Sequence, residues 1–325
     1  MRALGIGLVG AGSIGTYYHG PSYLKMRNVR IRGICDIDRR KARQAARYLE
    51  VREVYTGIEK ILKNPEIDVV DICVPTPWHP EYTIKAAEGG KHVLCEKPIA
   101  LNLKAADKMV KATREAGVKF MVAHVLRFDP AYATAKKIMD SGTIGMPLLA
   151  LATRHSQLDP RATWYTDVKM SGGIVVEMHI HDLDYLNWVF GRPTNVCSQG
   201  SKSMKYCWEH VSSLATYSKH KGFAEASWWW RRANFPFSTR FSALCERGGV
   251  EIDVRGFPMR ERLWVHSKGK DPILLKLPEK DGYANEIEYF VNCVRNDRDP
   301  TICRPEDAML ALESVLEARR SIGRN

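Results

Sequence analysis

Gly10-Ala11-Gly12-Ser13-Ile14-Gly15 follows directly on an apolar run (Leu4, Ile6, Leu8, Val9), and glycines at this spacing can seat a pyrophosphate. Gly10 supplies the tight turn, Gly12 lets the backbone approach a phosphate, and Gly15 lets the following helix pack close to the sheet. The phosphates would rest on the outward-pointing N–H groups of that helix N-terminus. A second apolar run, residues 29–35, ends in Asp36, about 20 residues beyond Gly15, where a carboxylate binds an adenosine ribose. Asp36 favours NAD because it binds ribose hydroxyls and repels a 2′-phosphate, whereas Arg39, Arg40 and Lys41 nearby would tolerate NADP. Two more groups stand where apolar runs end. Pro75-Thr76-Pro77-Trp78-His79-Pro80 follows residues 69–74, its first two prolines fixing an extended turn against a cofactor. Glu96-Lys97-Pro98 follows residues 92–95 and sets an ammonium beside the expected nicotinamide position, between a carboxylate and a ring that locks the backbone.

The elements that must position these groups alternate. Strand candidates at residues 4–9, 29–35, 53–55, 69–74, 92–95 and 120–123 are separated by helix candidates such as 13–26, 38–49 and 103–116, with Gly117 as a helix stop. This predicts an α/β Rossmann domain, a doubly wound parallel sheet, over residues 1–124. Beyond Arg127 the texture changes to apolar and aromatic alternation at 147–153, 222–230, 239–245, 250–254, 262–266 and 273–277. It predicts an α+β C-terminal domain with an open, predominantly antiparallel sheet over residues 125–325, for substrate binding and oligomerisation. Ile287, Phe290, Val291 and Val294 keep helical spacing, and Pro305-Glu306-Asp307 suits the first turn of a helix running to about residue 322. The C-terminal helix is expected to pack back on the first domain.

Composition narrows the partners. A chain of 325 residues is expected to form two domains, and its net charge of +12 comes from basic residues spread along its length rather than gathered in a stripe. Nucleic acid is therefore not an expected partner, and the positive balance suits an anionic cofactor. No apolar stretch approaches the ~20 residues that span a bilayer, so no membrane partner is expected and the protein reads as cytoplasmic. The eight cysteines form no CxxC pair, which fits reduced core thiols rather than a zinc site. His179 lies about 200° round a helix from His181, so the two would not clamp one metal, and no metal is expected. Trp228-Trp229-Trp230 alternates faces if it is a strand, and an apolar sheet face of this kind is usually covered by a partner, here a homodimer or homotetramer formed through the open face.

Taken together, the chain resembles the Gfo/Idh/MocA family of NAD(P)-dependent oxidoreductases, which includes inositol and sugar dehydrogenases. The resemblance rests on Gly10, Gly12 and Gly15, on Asp36, on Pro75-Thr76 with His79, on residues 90–98 (GKHVLCEKP), and on Ser171-Gly172-Gly173 through Glu177 to His181-Asp182-Leu183-Asp184. It implies that Gly10, Gly12, Ser13, Ile14, Gly15, Asp36, Pro75, Thr76, His79, Glu96 and Lys97 hold the cofactor, that Lys97 is the central catalytic residue, and that a cis peptide precedes Pro98. It further implies a helix over residues 171–188 that crosses the substrate pocket, with Glu177 and His181 on one face at i, i+4. The family usually has Asp where Glu177 stands. The implied reaction interconverts a ring hydroxyl and a ketone of a sugar, inositol or related polyol. An imidazole with a reference pKa near ~6.5 is a natural acceptor for the hydroxyl proton. His181 is thus expected as acid/base, Lys97 as oxygen clamp and relay with its pKa drawn down by desolvation, and Glu177 as orienter. Trp164 and Tyr165 are expected to stack on substrate, and Arg127 is either a substrate contact or an interdomain salt bridge. Two alternatives stand beside this: an NAD-dependent glycosidase working by transient oxidation and elimination, and a non-catalytic NAD-sensing protein.

Overall fold

The computed structural model describes residues 2–157, 163–202, 208–228, 235–256 and 259–323. The chain forms two compact units, Met1–Phe128 with Lys280–Met309, and Asp129–Glu279 with Leu310–Asn325.

In the first unit, strands β1 (Leu4–Val9), β2 (Val29–Cys35), β3 (Val54–Tyr55), β4 (Val69–Ile72), β5 (His92–Glu96) and β6 (Phe120–Ala123) form one parallel sheet in the order β3-β2-β1-β4-β5-β6. This is the doubly wound arrangement, with the order reversing between β1 and β4. The middle strands are largely buried because both faces are covered, with Asp71 in β4 and Glu96 at the end of β5 as buried charged exceptions. Helices α1 (Gly20–Leu24), α2 (Arg39–Tyr48), α3 (Ile58–Lys63), α4 (His79–Glu88) and α5 (Leu103–Glu115) fill the crossovers. Local chemistry sets their starts: Asp38 accepts the Arg40 N–H at 2.8 Å, and Asn102 accepts that of Ala105 at 2.9 Å. Gly117, with φ +64°, ends the turn beyond α5 as expected.

The helix expected over 13–26 takes another form. Residues Ile14–His19 make a π turn, and α1 begins at Gly20 with Pro21 in its first turn. The wider turn carries one residue more per closed hydrogen bond than an α-helix does, which rotates His19 inward to full burial.

The second unit contains α6 (Pro130–Asp140), α7 (Val168–Ser171), α8 (Gly173–Glu177) and α9 (Ile180–Phe190) with an eight-stranded sheet. Its strands are β7 (Pro147–His155), β8 (Asn195–Ser201), β9 (His210–Tyr217), β10 (His220–Ser227), β11 (Ser238–Cys245), β12 (Gly248–Arg255), β13 (Arg260–Ser267) and β14 (Ile273–Leu274), in the order β14-β13-β12-β11-β7-β10-β9-β8. Every pairing is antiparallel except β7 with β10, which pair in parallel. Strands β8 and β9 have no counterpart in the sequence reading. Their Ser, Thr, Gln and Gly content masks an alternation of buried and exposed positions that pairing alone imposes. The run expected over 273–277 is strand only at its first two residues, both exposed on a sheet edge. Trp229 and Trp230 lie outside the described residues.

Helix α10 (Gly282–Arg295) belongs to the first unit, capped by Asp281 accepting the Ala284 N–H at 2.8 Å. Its Ile287, Phe290 and Val291 join Ile6, Tyr23, Val29, Val69, Leu94 and Met121 in one core cluster. Helix α11 (Pro305–Ile322) starts in the first unit and ends in the second. Among the described residues no helix is long and apolar enough to cross a membrane.

Candidate functional site

The glycine loop connects β1 to the π turn, and each glycine answers a different demand. Gly10, at φ +104°, donates its N–H to Cys35 O, and a Cβ there would lie 2.4 Å from Cys73 O. A Cβ on Gly15 would lie 2.3 Å from Gly10 O. Gly12 differs, because a Cβ there would meet no protein atom within 4 Å. The protein itself does not require a glycine at position 12, so the open space beside it is a cradle that a side chain would fill and a pyrophosphate fits.

Asp36, at the end of β2, is already oriented: Oδ2 accepts the Ala11 N–H at 2.9 Å and Oδ1 that of Asp38 at 2.8 Å. The carboxylate is thereby fastened to the loop that would carry the phosphates. Ile37 beside it is 84% exposed. Ser13 is exposed and Ile14 half-buried.

Beyond β4, Pro75 leads into a short 3-10 turn, Thr76–Trp78, with Thr76 buried. His79 is buried and spends both ring nitrogens on the backbone: Nε2 lies 2.8 Å from Val74 O and Nδ1 2.7 Å from Pro98 O. Burial pushes its pKa down despite both carbonyls. A neutral imidazole carries one N–H, so one of these contacts is a donated bond and the other a close approach. His79 therefore ties the turn after β4 to the turn after β5, and its ring nitrogens are committed to that task.

At the end of β5, the buried Glu96 accepts the Lys97 N–H on Oε2 at 3.0 Å, and the Lys97–Pro98 peptide is cis. Burial would push the Glu96 carboxyl up, but His19 and Lys97 outweigh it and hold it below the usual carboxylate range. Arg127, in the turn after β6, is buried and pairs with Asp307 at 3.4 Å. Both partners belong to the first unit, so this ion pair is not the interdomain bridge considered above.

In the second unit, Trp164 and Tyr165 stack on each other with centroids 4.0 Å apart, and Tyr165 also approaches Trp228 at 6.5 Å. The continuous helix expected over 171–188 is broken twice. Gly172 and Gly173, at φ +76° and +72°, separate α7 from α8, and the Ser171 hydroxyl receives the Gly173 N–H at 2.8 Å. Further on, the N–H groups of Met178 and His179 both bond to Ile174 O, and the His181 N–H reaches back only to Met178 O. This switch of hydrogen-bond register interrupts the helix between α8 and α9, so Glu177 and His181 stand on different segments rather than one turn apart on a regular face. Glu177 is buried and His181 half-buried.

Two features escaped the sequence reading. Arg154 on β7 makes a buried bidentate pair with Asp182 on α9, Nε–Oδ2 2.9 Å and Nη2–Oδ1 3.0 Å, and so fixes the segment that carries His181 against the sheet. His179 turns away from His181, meeting the Ser213 hydroxyl at 2.7 Å, and burial pushes its pKa down to about 3. The first unit holds the other: His19 lies between Asp71 and Glu96, with Nδ1 2.9 Å from Asp71 and Nε2 3.2 Å from Glu96. Neither pairing has a local pattern, since its partners are far apart along the chain.

A parallel sheet with open space beside Gly12 and a carboxylate held at the end of β2 has the layout of a dinucleotide-binding unit. Comparison with known proteins then decides the family. Residues 4–124 match the family model described as oxidoreductase family, NAD-binding Rossmann fold, and residues 132–251 match that of the GFO/IDH/MocA C-terminal domain. Scyllo-inositol 2-dehydrogenase (NAD(+)) of Bacillus subtilis is 30% identical over 97% of this chain and 92% of its own. The chain belongs to the GFO/IDH/MocA family. As a member it is an oxidoreductase with an NAD-binding Rossmann unit, in agreement with the cofactor read from Asp36. Myo-inositol 2-dehydrogenase of Thermotoga maritima is 27% identical over 98% of this chain and 96% of its own. The aldose-aldose oxidoreductase of Caulobacter crescentus, crystallised with glycerol, shares the fold with a TM-score of 0.89 over 99% of this chain and 98% of its own, at 20% identity.

Proposed function

We propose that this GFO/IDH/MocA member interconverts a ring hydroxyl and a ketone of an inositol, sugar or related polyol, with Lys97 and His181 handling the hydroxyl proton. The observation that carries the reading is Lys97 itself, a lysine at the carboxyl end of β5 whose backbone N–H is held by a buried carboxylate, in a sheet where ligands gather beyond the carboxyl ends of the strands. The likeness over the full chain to two inositol dehydrogenases supports the substrate class. NAD, when bound, supplies the hydride acceptor.

The residues of the chain do the rest. Gly12, Ser13, Ile14 and Gly15 present backbone N–H groups to phosphate while Gly10, its own N–H spent on Cys35 O, makes the turn; Asp36 binds the ribose, and Pro75 with Thr76 lines the cofactor's path. His79 and Glu96 hold the two turns that bear Thr76 and Lys97. Lys97 steadies the carbinol oxygen as negative charge develops on it. His181 takes the proton, oriented by Glu177 and by the clamp of Arg154 on Asp182. Trp164 and Tyr165 offer an aromatic face to the substrate ring. Leu151 and Phe223, cross-strand neighbours on the open face of the second sheet, and Leu244 nearby are exposed, which supports assembly of copies through that face. Seven free cysteines among the described residues favour a reducing compartment, the cytoplasm.

The test is reduction of NAD by purified protein with a panel of inositols and aldoses. Lys97→Ala is expected to lower turnover by roughly 100-fold or more while NADH still binds. Undiminished turnover in that variant refutes the assignment. Release of an aglycone without net NADH would point instead to transient oxidation and elimination.

A further inference from the structure

The first unit buries more charge than cofactor binding calls for. His19, at the end of the π turn, is fully buried, and each ring nitrogen faces a carboxylate: Nδ1 hydrogen-bonds Asp71 on β4 at 2.9 Å, and Nε2 makes an ion-pair contact with Glu96 on β5 at 3.2 Å without hydrogen-bond alignment. Two buried carboxylates on opposite sides of one imidazole are both balanced in charge only when the ring carries two protons. The second oxygen of Glu96 accepts the Lys97 N–H at 3.0 Å. A continuous line therefore runs from Asp71 through His19 and Glu96 to the backbone of Lys97.

We propose that His19 is a positioning residue: as an imidazolium wedged between Asp71 and Glu96, it fixes the carboxylate that grips Lys97 and so sets where the Lys97 ammonium points. This rests on the role given to Lys97 above.

Every group that faces the ring supports a single proton arrangement. Burial alone would push His19 down, yet the Asp71 carboxylate overcomes it and holds the ring well above its ordinary pKa. The Cys73 thiol, 3.5 Å from Nδ1, is pushed up by burial and stays protonated. Tyr23 from α1 and Tyr283 from α10 are likewise pushed up by burial and remain neutral phenols. Glu286 from α10 is fully buried, neither of its oxygens has a hydrogen-bond partner, and burial pushes it well above the carboxylate range. With Glu286 neutral, the ring of His19 stands between the carboxyl groups of Asp71 and Glu96 with no further carboxylate competing for it. Among the described residues, His19, Asp71 and Cys73 are also the one set of three His, Cys, Asp or Glu groups whose donor atoms lie within 4.8 Å of one another. Those donors bond to one another.

Removing His19 would leave Asp71 and Glu96 as buried like charges, and one of them would take up a proton in the working range. A neutral Glu96 grips the Lys97 N–H less firmly, and a misplaced ammonium costs rate rather than cofactor affinity.

The first measurement needs no substrate: nitrogen-15 NMR of histidine-labelled protein. His19 is expected to give imidazolium signals at pH 8, and to lose them in Asp71→Asn. A neutral ring at pH 7 in the native chain overturns the proposal. The second is the kcat–pH profile on the panel member that the native enzyme turns over fastest. In His19→Gln, kcat at neutral pH should fall roughly tenfold or more. The acidic limb should move up by about one to three pH units, with NADH affinity little changed. A purely structural role would lower kcat equally at every pH. Asp71→Asn should shift the limb the same way should His19→Gln fail to fold. His19→Gln with Glu96→Gln should be no worse than Glu96→Gln alone, because both act through one carboxylate. If Lys97→Ala keeps full turnover, the role of Lys97 falls. If Lys97→Ala is inactive while His19→Gln keeps the native profile, only the present proposal falls.

Discussion

Gly12 and Gly15 are three residues apart in one loop, yet the structure assigns their glycines to different causes, and alanine substitutions separate them. A Cβ on Gly15 would stand 2.3 Å from Gly10 O, a backbone atom that cannot swing aside. The loop and helix must shift, and overpacking of this kind costs about 1–3 kcal/mol. For the compact unit that carries Gly15, Met1–Phe128 with Lys280–Met309, each kilocalorie lowers the melting temperature by about 2–4 °C. Gly15→Ala is thus expected to melt several degrees early with or without cofactor. A Cβ on Gly12 meets nothing within 4 Å, and its φ lies outside the left-handed region, so Gly12→Ala should leave the unliganded melting temperature unchanged to within about 0.5 kcal/mol. The new methyl would instead occupy the space of the pyrophosphate. NADH binding, followed by quenching of tryptophan fluorescence, should weaken by roughly 100-fold, about 2.8 kcal/mol. Native NADH affinity in Gly12→Ala would refute the cradle. Equal destabilisation of both variants without cofactor would refute the division of roles.

Three further outcomes follow from the site. Arg154→Met should cost about 3–5 kcal/mol in urea unfolding, because it leaves Asp182 charged and buried without its bidentate partner; a loss below 1 kcal/mol would show that the pair holds nothing in place. His179 is neutral in the fold with a pKa of about 3 against 6.5 unfolded, so the stability it carries is complete above pH 6.5 and is lost as pH falls toward 3. Between pH 6.5 and 5 the loss is about 2 kcal/mol, and His179→Gln should flatten that slope; an unchanged slope would place the acid sensitivity elsewhere. Asp36→Ala should weaken NAD binding and narrow the preference for NAD over NADP in paired titrations, since it removes both the ribose acceptor and the charge that repels a 2′-phosphate; an unaltered ratio would move specificity to another residue.

What the amino-acid order determined by itself was local. The apolar runs that became β1, β2, β4, β5 and β6, the glycine spacing, the acid at the end of β2 and the lysine at the end of β5 all act within a few residues of one another, where periodicity and turn chemistry suffice. The helix starts at Asp38, Asn102 and Asp281 belong to the same class, each a side chain reaching its own next turn. The tertiary structure decided the rest. His19 meets Asp71 and Glu96, Arg154 meets Asp182, and Ile287, Phe290 and Val291 return to finish a core begun at Ile6. Strands β8 and β9 exist because their neighbours pair with them, their side chains alone giving little signal. The break between Glu177 and His181, in a stretch whose residues would each accept a regular helix, comes from the same cause. Burial makes an unpaired charge or N–H expensive, and only the assembled fold settles which groups end up inside together.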